Sequence, residues 1–315
     1  MLDGITRKLF ALYKVKGVGP ATLTKLLDQP GFAEASVEDM MAGSKPLARA
    51  LNAPGTWQKA VEDAEEDIHQ AERSGVKILS CLDAAYPRLL KETRDRPFFL
   101  YVRGQLPAVE ERNVAVIGTR APTPHGRLIA ERITGFLVGD GWSIISGLAL
   151  GCDGVAHETA LGQRGRTVAV LAHGLQTIAP RQHRNLAEQI VAEGGALVTE
   201  YGFGVEPFAP QYVKRDRIQA GLSRGVVLIQ SDLEGGSLHA SRAALEYQRV
   251  LAVACPTAGD VAAAEQKIQA NVWLCEHSDS ERRALLNCTQ EDLQRVFRVR
   301  GRADYVSLSE ALMGR

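Results

Sequence analysis

Four basic residues in this sequence have the chemistry to hold phosphate groups. They are Arg120, Lys214, Arg215 and Arg217. A guanidinium group presents a planar fork of N–H donors that suits a phosphate, and a lysine ammonium adds a compact positive charge. Arg120 directly follows Gly118 and Thr119, and a glycine turn leaves backbone N–H groups open to an anion. These residue types and their spacing predict a phosphate-binding site.

Small residues in two further loops complete the predicted site. They are Ser146, Gly147, Gly235, Gly236 and Ser237. Glycine at such positions lets the backbone approach a ligand closely. The G-x-G-x-x-G pattern of nicotinamide dinucleotide enzymes is absent, because Gly118 stands alone in its turn. We therefore predict no cofactor.

Other polar residues nearby give no catalytic pattern. Asp153 and His157 are four residues apart on a predicted helix, which favours a pair that positions the loop over an acid–base couple. His157 has no further ligands beside it, and the five cysteines are widely spaced without a C-x-x-C pair, so we predict neither a metal site nor disulfides. The protein is predicted not to be an enzyme. As an alternative to phosphate binding, the arginines would pair with Asp153, Asp216 and Glu246 and only tie loops together.

The elements that must position these residues alternate between strands and helices. Apolar runs predict strands at residues 76–79, 97–104, 114–117, 142–145, 167–171, 196–199, 225–229 and 250–254. From residue 114 onward helical patterns separate the strands, which predicts an α/β fold with a parallel sheet covered on both faces. Ligands of such sheets bind at the carboxyl ends of the strands, so the cations and glycine loops should converge there.

The first 75 residues have a helical pattern instead. Apolar segments 9–15 and 21–27 flank a turn, which predicts a helix-hairpin-helix (SAM-like) domain. Gly17 and Gly19 would leave backbone amides of the turn open to a nucleic-acid phosphate. A plain pair of antiparallel helices is the alternative. We assign residues 1–75 to this domain, 76–258 to the sheet domain and 259–315 to a short C-terminal extension whose fold the pattern does not indicate.

The overall charge gives no attraction to nucleic acid or membranes. The 315 residues include 37 basic and 37 acidic side chains, so the formal net charge is zero. Any site for a polyanion must therefore be local. The first ten residues carry charges at Asp3, Arg7 and Lys8, and no apolar run approaches the ~20 residues of a membrane span. We expect a cytoplasmic protein without a membrane partner.

Several spaced motifs occur in the order found in one known family. They are VAVIGTR at residues 114–120, SGLA at 146–149, D-x-x-A-H at 153–157, R-x-R-I-x-A-G-L-S at 215–223 and G-S-L-x-A-x-R-x-A-L-E at 236–246. On these motifs, residues 5–256 resemble the DNA-processing protein A family (DprA, also called Smf). The resemblance implies an extended Rossmann-like fold that binds and protects single-stranded DNA, forms a homodimer and helps to load the RecA recombinase in natural transformation (competence) or recombination. It implies no catalytic reaction.

The chain departs from this family at positions that bear on DNA affinity. Leu150 stands where the family usually has an arginine, and Asp216 replaces an asparagine. Losing a cation and gaining a carboxylate both weaken the attraction for a polyanion. The Asn-containing segment expected beyond Pro256 is not evident.

Two other functions remain open on the same fold. A nucleotide-sensing module, for example in phage defence, would hold a small phosphorylated signal, but it has no need of the N-terminal hairpin. A nucleoside-phosphate hydrolase of the lysine-decarboxylase-like type would carry P-G-G-x-G-T-x-x-E, and residues 234–242 lack its third glycine, its threonine and its glutamate. Single-stranded DNA binding is the function that the sequence favours.

Overall fold

The computed structural model describes residues 3–107 and 112–314, which form two compact units. The first unit comprises the described residues up to 84 together with 97–101. The second comprises 85–96 and the described residues from 102 onward. The predicted strand that begins at residue 76 therefore belongs to the same unit as the N-terminal helices.

The first unit is mainly helical. Its elements are α1 (Gly4–Lys14), α2 (Pro20–Leu27), α3 (Val37–Gly43), α4 (Lys45–Ala50), α5 (Thr56–Arg73), β1 (Val76–Ser80) and the first half of β2 (Phe99–Gly104). Part of its core is aromatic, since the Phe10 ring centroid lies 4.6 Å from that of Phe99 and 6.4 Å from that of Tyr101. The Tyr101 hydroxyl donates a 2.8 Å hydrogen bond to Asp67, which also pairs with Lys14. These contacts fasten α1 to α5.

The turn between α1 and α2 uses its two glycines differently. Gly17 has φ +91°, in the left-handed region that favours glycine. Gly19 has φ −96°, and its carbonyl accepts the first backbone hydrogen bonds of α2. Lys14 beside the turn is engaged by Asp67, whereas Lys16 is exposed. The two predicted helices are present, and a phosphate contact at their turn stays a prediction.

The second unit is built on a parallel sheet. Its further strands are β3 (Asn113–Ile117), β4 (Ser143–Ser146), β5 (Thr167–Val170), β6 (Ala196–Thr199), β7 (Gly225–Leu228), β8 (Val250–Ala254) and β9 (Val296–Val299). Their order is β6-β5-β4-β3-β7-β8-β9, and each neighbouring pair is parallel. Ala115 pairs with Ile145 on one side and Val226 on the other, which places β3 at the centre. The predicted α/β class and the six strands predicted from residue 114 onward are confirmed.

Helices cover both faces of this sheet. They are α6 (Arg88–Lys91), α7 (Pro124–Gly139), α8 (Cys152–Gly162), α9 (Arg184–Ala192), α10 (Ala209–Gly221), α11 (Ser237–Glu246), α12 (Ala258–Ala262), α13 (Gln269–Glu276), α14 (Asp279–Leu286) and α15 (Tyr305–Leu312). Helices α7, α8 and α15 share a hydrophobic core with Val114, Val116 and Val227. The crossovers from β3 to β6 move along the sheet in one direction, and those from β6 to β8 move in the other. Because right-handed crossovers of opposite direction lie on opposite faces, α10 and α11 cover the other face. No helix in the described part of the chain is long and apolar enough to cross a lipid bilayer.

A seventh parallel strand lies in the segment whose fold the sequence does not indicate. β9 pairs with β8, where Ala252 lies opposite Phe297. Only Val299 of this strand is fully buried, as is common at the edge of a sheet, and Arg298 interrupts the apolar pattern. A search for continuous apolar runs misses such a strand. The sheet of the second unit therefore has one strand more than the six predicted from residue 114 onward.

Helix α15 joins the C-terminal segment to the core. Leu308 and Leu312 are buried in the cluster that includes Val114. The indole N–H of Trp142 donates a 2.9 Å hydrogen bond to the Ser309 hydroxyl. The helix thus completes one face of the sheet.

Replacing Leu308 with alanine should lower the free energy of unfolding by about 2–5 kcal/mol, because its fully buried side chain would leave a cavity. Val306 on the same helix is 60% exposed, so Val306→Ala should change that free energy by less than about 0.5 kcal/mol. Urea denaturation followed by circular dichroism measures both variants. Equally small effects would show that α15 is not part of the core.

Candidate functional site

The carboxyl ends of β3 and β7 meet at the point where the strand order reverses. From β3 the chain proceeds to β4, β5 and β6 on one side and then returns to β7 on the other. The backbone N–H of Thr119, after β3, donates a 2.8 Å hydrogen bond to the carbonyl of Gln230, after β7. Ligands of open parallel sheets bind in the crevice at such a reversal. A cavity of about 570 Å³ opens there, and we call it the switch-point cleft.

The switch-point cleft brings together seven of the predicted phosphate-binding residues. Those that line it are Gly118, Thr119, Arg120, Arg215, Gly235, Gly236 and Ser237. Four other predicted residues of the second unit, Ser146, Gly147, Lys214 and Arg217, do not line it. Gly17 and Gly19 lie in the first unit. Three segments that are distant in sequence therefore share one cavity.

Glycines allow the loops around the cleft to touch. A Cβ atom on Gly118 would lie 2.6 Å from the Cys152 sulfur and 3.0 Å from the Gln230 carbonyl oxygen. Gly151 has φ +77°, and a Cβ atom there would lie 2.5 Å from the Thr119 carbonyl oxygen. That carbonyl accepts a 3.1 Å hydrogen bond from the N–H of Cys152. The loop after β3 is thereby held against the start of α8.

Arg120 is an exposed cation of the cleft. Its guanidinium carbon lies 5.3 Å from the ring centroid of Tyr212 on α10, and that of Arg215 lies 6.0 Å from the same centroid. No acidic side chain in the described ranges forms an ion pair with Arg120. A guanidinium group over an aromatic ring keeps its N–H donors for other partners. Sequence reasoning missed Tyr212, although it stands one helical turn before Arg215.

Arg215, by contrast, is a buried residue. Arg215 is only 4% exposed, and its Nη1 donates a 2.5 Å hydrogen bond to the carbonyl of Val170 at the end of β5. Its Nε atom lies 3.1 Å from a carboxylate oxygen of Asp216. A Cβ atom on Gly147 would overlap the guanidinium, so glycine there makes room for it. This arrangement matches the alternative in which an arginine ties loops together.

Asp153 is a second charged group in the same buried cluster. Its carboxylate accepts hydrogen bonds from the N–H groups of Gly147 at 3.1 Å and Ala149 at 3.3 Å. Burial raises the pKa of Asp153, and the positive charge of Arg215 and these N–H donors oppose the rise. Asp153 therefore fixes the loop that follows β4.

Two other polar residues of this region are bonded to the sheet. The predicted pair between Asp153 and His157 is wrong, because Asp153 turns back to the loop before α8 while His157 Nδ1 lies 2.7 Å from the Thr167 hydroxyl. Burial lowers the pKa of His157 to about 3, so its ring is neutral at physiological pH. The Ser146 hydroxyl donates a 2.7 Å hydrogen bond to the Val116 carbonyl and is buried. Ser146 thus links β4 to β3.

Lys214 and Arg217 lie on α10 outside the cleft. Lys214 is exposed. Arg217 Nη2 donates a 2.7 Å hydrogen bond to Glu200, and its Nε lies 3.4 Å from Asp95. Two carboxylates therefore hold Arg217. Among the four predicted cations, Arg120 and Lys214 are exposed, whereas the other two are engaged by acidic residues.

The N-terminus of α11 gives the cleft a partial positive charge. Gly235, Gly236 and Ser237 line the cleft where this helix begins. The Ser237 hydroxyl lies 3.0 Å from the Ser231 hydroxyl, and a Cβ atom on Gly235 would overlap Ser231. The N–H groups of Leu238 and His239 donate to the carbonyls of Gly235 and Gly236, and the dipole of the helix places a partial positive charge at this end. This end of α11 can therefore face a phosphate.

An asparagine beyond Pro256, which sequence reasoning missed, fixes the loop after β7. Asn271 on α13 is buried, and its side-chain oxygen accepts a 2.9 Å hydrogen bond from the N–H of Ser231. Its side-chain nitrogen donates 2.9 Å hydrogen bonds to the carbonyls of Ile229 and Ala254. Asn271 therefore ties the ends of β7 and β8 to one wall of the cleft.

Burial shifts the pKa values of two groups in or beside the cleft. Burial raises the pKa of Asp216 to about 7, against the opposing charge of Arg215, so its carboxyl is partly protonated near neutral pH. Burial also raises the pKa of the Cys152 thiol to about 12, which makes it a poor nucleophile. Within residues 3–107 and 112–314, no group of three His, Cys, Asp or Glu side chains converges to hold a metal ion.

Comparison with protein families gives a match over most of the chain. The family model described as DNA recombination-mediator protein A matches residues 77–281. Protein Smf from Escherichia coli (strain K12) is 43% identical over 164 residues, which cover 52% of this chain and 44% of that protein. DNA processing protein DprA from Streptococcus pneumoniae is 30% identical over 240 residues, which cover 76% of this chain and 84% of that protein. A third relative, Protein Smf from Synechocystis, is 35% identical over 75% of this chain, which spans 61% of that protein.

Solved structures share the fold. The X-ray structure of DprA from Streptococcus pneumoniae matches with a TM-score of 0.68 at 26% identity, over 87% of this chain and 98% of that chain. DNA processing protein A from Helicobacter pylori, a protein that binds single-stranded DNA, has a structure that matches with a TM-score of 0.59 at 24% identity. That match covers 75% of this chain and 96% of the other. The expected Rossmann-like fold is confirmed.

Replacing Asp216 with asparagine should stabilise the protein more at about pH 8.5 than at about pH 5.5. Below its folded pKa of about 7, Asp216 holds a proton in the folded state that the unfolded chain releases, so wild-type stability falls as the pH rises through that value. The asparagine variant has no such proton. The difference between variant and wild type should grow by about 2 kcal/mol across this range, measured by urea denaturation at both pH values.

Asp39→Asn provides the control for this experiment. Hydrogen bonds from Ser36 lower the pKa of Asp39, so its carboxylate is ionised at both pH values, folded or unfolded. Its effect on the free energy of unfolding should be the same at both. An Asp216→Asn effect that is equally independent of pH would show that Asp216 is not protonated in the folded protein.

Proposed function

The chain belongs to the DNA recombination-mediator protein A family, and we propose that it binds single-stranded DNA in the switch-point cleft. The observation that carries the proposal is Arg120, an exposed guanidinium over the Tyr212 ring in a cleft that also receives the N-terminus of α11. Contacts between cations and phosphates give binding that does not depend on base sequence. An aromatic ring accepts any base by stacking.

A second aromatic side chain supports the binding of unpaired bases. Phe208 is 63% exposed and lies between Pro207 and Ala209, which line the cleft. An exposed ring beside a phosphate-binding cleft offers a flat surface for stacking. Bases within a duplex are already stacked on their neighbours, so this surface favours a single strand. The Helicobacter pylori protein, which has the same fold, binds single-stranded DNA.

We place this binding in DNA recombination, including natural transformation, where the protein would protect single strands without catalysing a reaction. The names of the family and of its relatives, as recombination mediators and DNA-processing proteins, support this role. The RecA recombinase and a second copy of this chain are the protein partners that we propose, and the cytoplasm is the compartment. These three proposals rest on the family resemblance.

Competition binding tests the proposed function. A labelled single strand should be displaced by the unlabelled single strand at a lower concentration than by a duplex of the same length or by a mononucleotide, all at one salt concentration. Equal displacement by the duplex would contradict the preference for single strands. Displacement by the mononucleotide alone would favour a sensor that holds a small phosphorylated signal.

Replacing Arg120 with alanine should weaken binding to every base composition similarly. The slope of log K against log salt concentration should fall by about 0.7, the increment for one phosphate contact on a single strand. Its free energy of unfolding should change little, because the guanidinium is exposed. Salt titrations of binding and urea denaturation measure the two quantities. An unchanged salt slope would show that Arg120 does not contact phosphate.

Arg217→Ala is the matched control, since the same charge is lost from a residue held by Glu200. It should keep the salt slope and lower the free energy of unfolding by about 1–3 kcal/mol, because Glu200 loses its partner. Lys214 is exposed on the same helix but outside the cleft, so Lys214→Ala tests whether the bound strand also follows α10; in that case the salt slope falls as it does for Arg120→Ala.

A further inference from the structure

A second cavity lies at the carboxyl edge of the sheet and shares no lining residue with the switch-point cleft. It measures about 970 Å³ and extends from the ends of β8 and β9 along α7 to the last turn of α8 and the start of α15. We call it the β9 cavity. Arg132, Arg300 and Arg302 line it.

These three arginines are not balanced by acidic partners. All three are exposed, and none forms an ion pair with a carboxylate in the part of the chain that the structure describes. Glu131, the acidic residue that lines the cavity, is itself paired with Arg127. Three guanidinium groups around one cavity create a positive potential that attracts an anion.

Asp304 is the acidic residue nearest in sequence to Arg300 and Arg302, and it does not neutralise them. The carboxylate of Asp304 accepts backbone hydrogen bonds from the N–H groups of Arg300 at 2.6 Å and Gly301 at 3.1 Å. It therefore shapes the loop that presents Arg300 and Arg302. Both bonds go to Oδ2, and within the described residues Asp304 forms no ion pair with either guanidinium group, so these groups stay available to a ligand.

The floor of the β9 cavity is apolar and partly aromatic. Ile133 and Val299 are buried there, and the rings of Phe136 and Tyr305 lie with centroids 5.3 Å apart. A ligand that fits both parts must have an anionic group and a flat apolar group. A nucleotide unit has both, since its phosphate can face the arginines and its base can lie on the rings.

The β9 cavity lies on the face of the sheet that α7, α8 and α15 cover, whereas residues of α10 and α11 line the switch-point cleft, so a strand would pass from one to the other over the ends of β7, β8 and β9. Only β8 separates β7 from β9, and neighbouring strands are about 4.8 Å apart, so the ends of β7 and β9 lie about 10 Å from each other. Helix α7 leads from the loop after β3 to the cavity. It starts at Pro124, shortly after Arg120, and runs back along the sheet, so that Arg132 lies about 12 Å further along its axis and away from the carboxyl edge.

We propose that the β9 cavity is a second binding site for single-stranded nucleic acid, which holds one part of a strand while another part occupies the switch-point cleft. The inference rests on the proposed function, because it requires a strand in the cleft. A free nucleotide has the same chemistry as one unit of a strand, and dependence on strand length distinguishes the two sources.

The test measures binding of oligothymidylates of increasing length to a variant that combines Arg132→Gln and Arg302→Gln. Glutamine removes the charge and keeps a polar side chain, which is shorter than that of arginine. Short strands that fill only the cleft should bind as they do to wild type. Longer strands should bind more weakly, with a salt slope lower by about 1.4, the increment for two phosphate contacts. Arg166→Gln is the control, because this exposed arginine precedes β5 and lies at the opposite edge.

A chemical footprint at Cys255 gives an independent measurement on the wild-type chain. Cys255 is half-buried and lines the β9 cavity, whereas Cys288 is half-buried and does not. Long oligothymidylates should slow the alkylation of Cys255 by iodoacetamide and leave that of Cys288 unchanged. Short ones should protect neither thiol. Mass spectrometry of the digested protein, kept under reducing conditions, follows both residues.

The outcomes separate this inference from the proposed function. The second site is overturned if the double variant binds strands of every length with wild-type affinity and long strands do not protect Cys255. If Arg120→Ala still weakens binding in that case, the proposed function of the cleft stands. A wild-type protein that binds no oligonucleotide would overturn both. Protection of Cys255 by thymidine monophosphate as strong as that by a long strand would show that the cavity takes a free nucleotide, and this also overturns the proposal.

Discussion

The buried guanidinium group of Arg215 organises the carboxyl edge of the sheet. Removing such a charge from water costs several kcal/mol, so it requires close partners. The Val170 carbonyl at the end of β5, the carboxylate of Asp216 and the nearby charge of Asp153 provide them. Gly147 leaves the space that the guanidinium occupies. Helix α10, the end of β5 and the loop after β4 are therefore fixed together around one charge.

This use of Arg215 determines the electrostatics of the cleft above it. A guanidinium that is held by the protein adds less to the attraction of a polyanion than an exposed one, so Arg120 becomes the main cation of the cleft. Asp216, which stands where the resemblance implies an asparagine, adds a carboxylate, but burial raises its pKa to about 7 and reduces its charge near neutral pH. Leu150 adds no cation. The cleft therefore provides few phosphate contacts, and affinity must depend on other cations along the same edge.

The sequence predicts the parallel sheet well and the roles of its charged residues less well. Strands buried on both faces, such as residues 114–117, are continuous apolar runs, whereas the edge strand β9 contains Arg298 and gives no such signal. Arg120 and Arg215 both lie within motifs of the family. Only the fold shows that Gly147, which is distant in sequence, leaves the space in which Arg215 is buried. The spacing of Asp153 and His157 predicts a helical pair, and tertiary hydrogen bonds override it.

The pairing of charges, rather than the net charge, determines where the sheet domain can attract an anion. At the amino edge, Arg112 before β3 pairs with Asp140, and Arg249 before β8 pairs with Glu92. In the two cavities, Arg120, Arg132 and Arg302 have no ion pair within the described residues. A chain with zero formal charge can therefore attract a polyanion locally, where exposed cations lack acidic partners. Salt screens exposed charges beyond about 10 Å at 0.1 M, so this attraction acts at short range. The spacing between successive cations then matters more than their number, and the distance of about 10 Å between the ends of β7 and β9 is short enough for one strand to experience both sites.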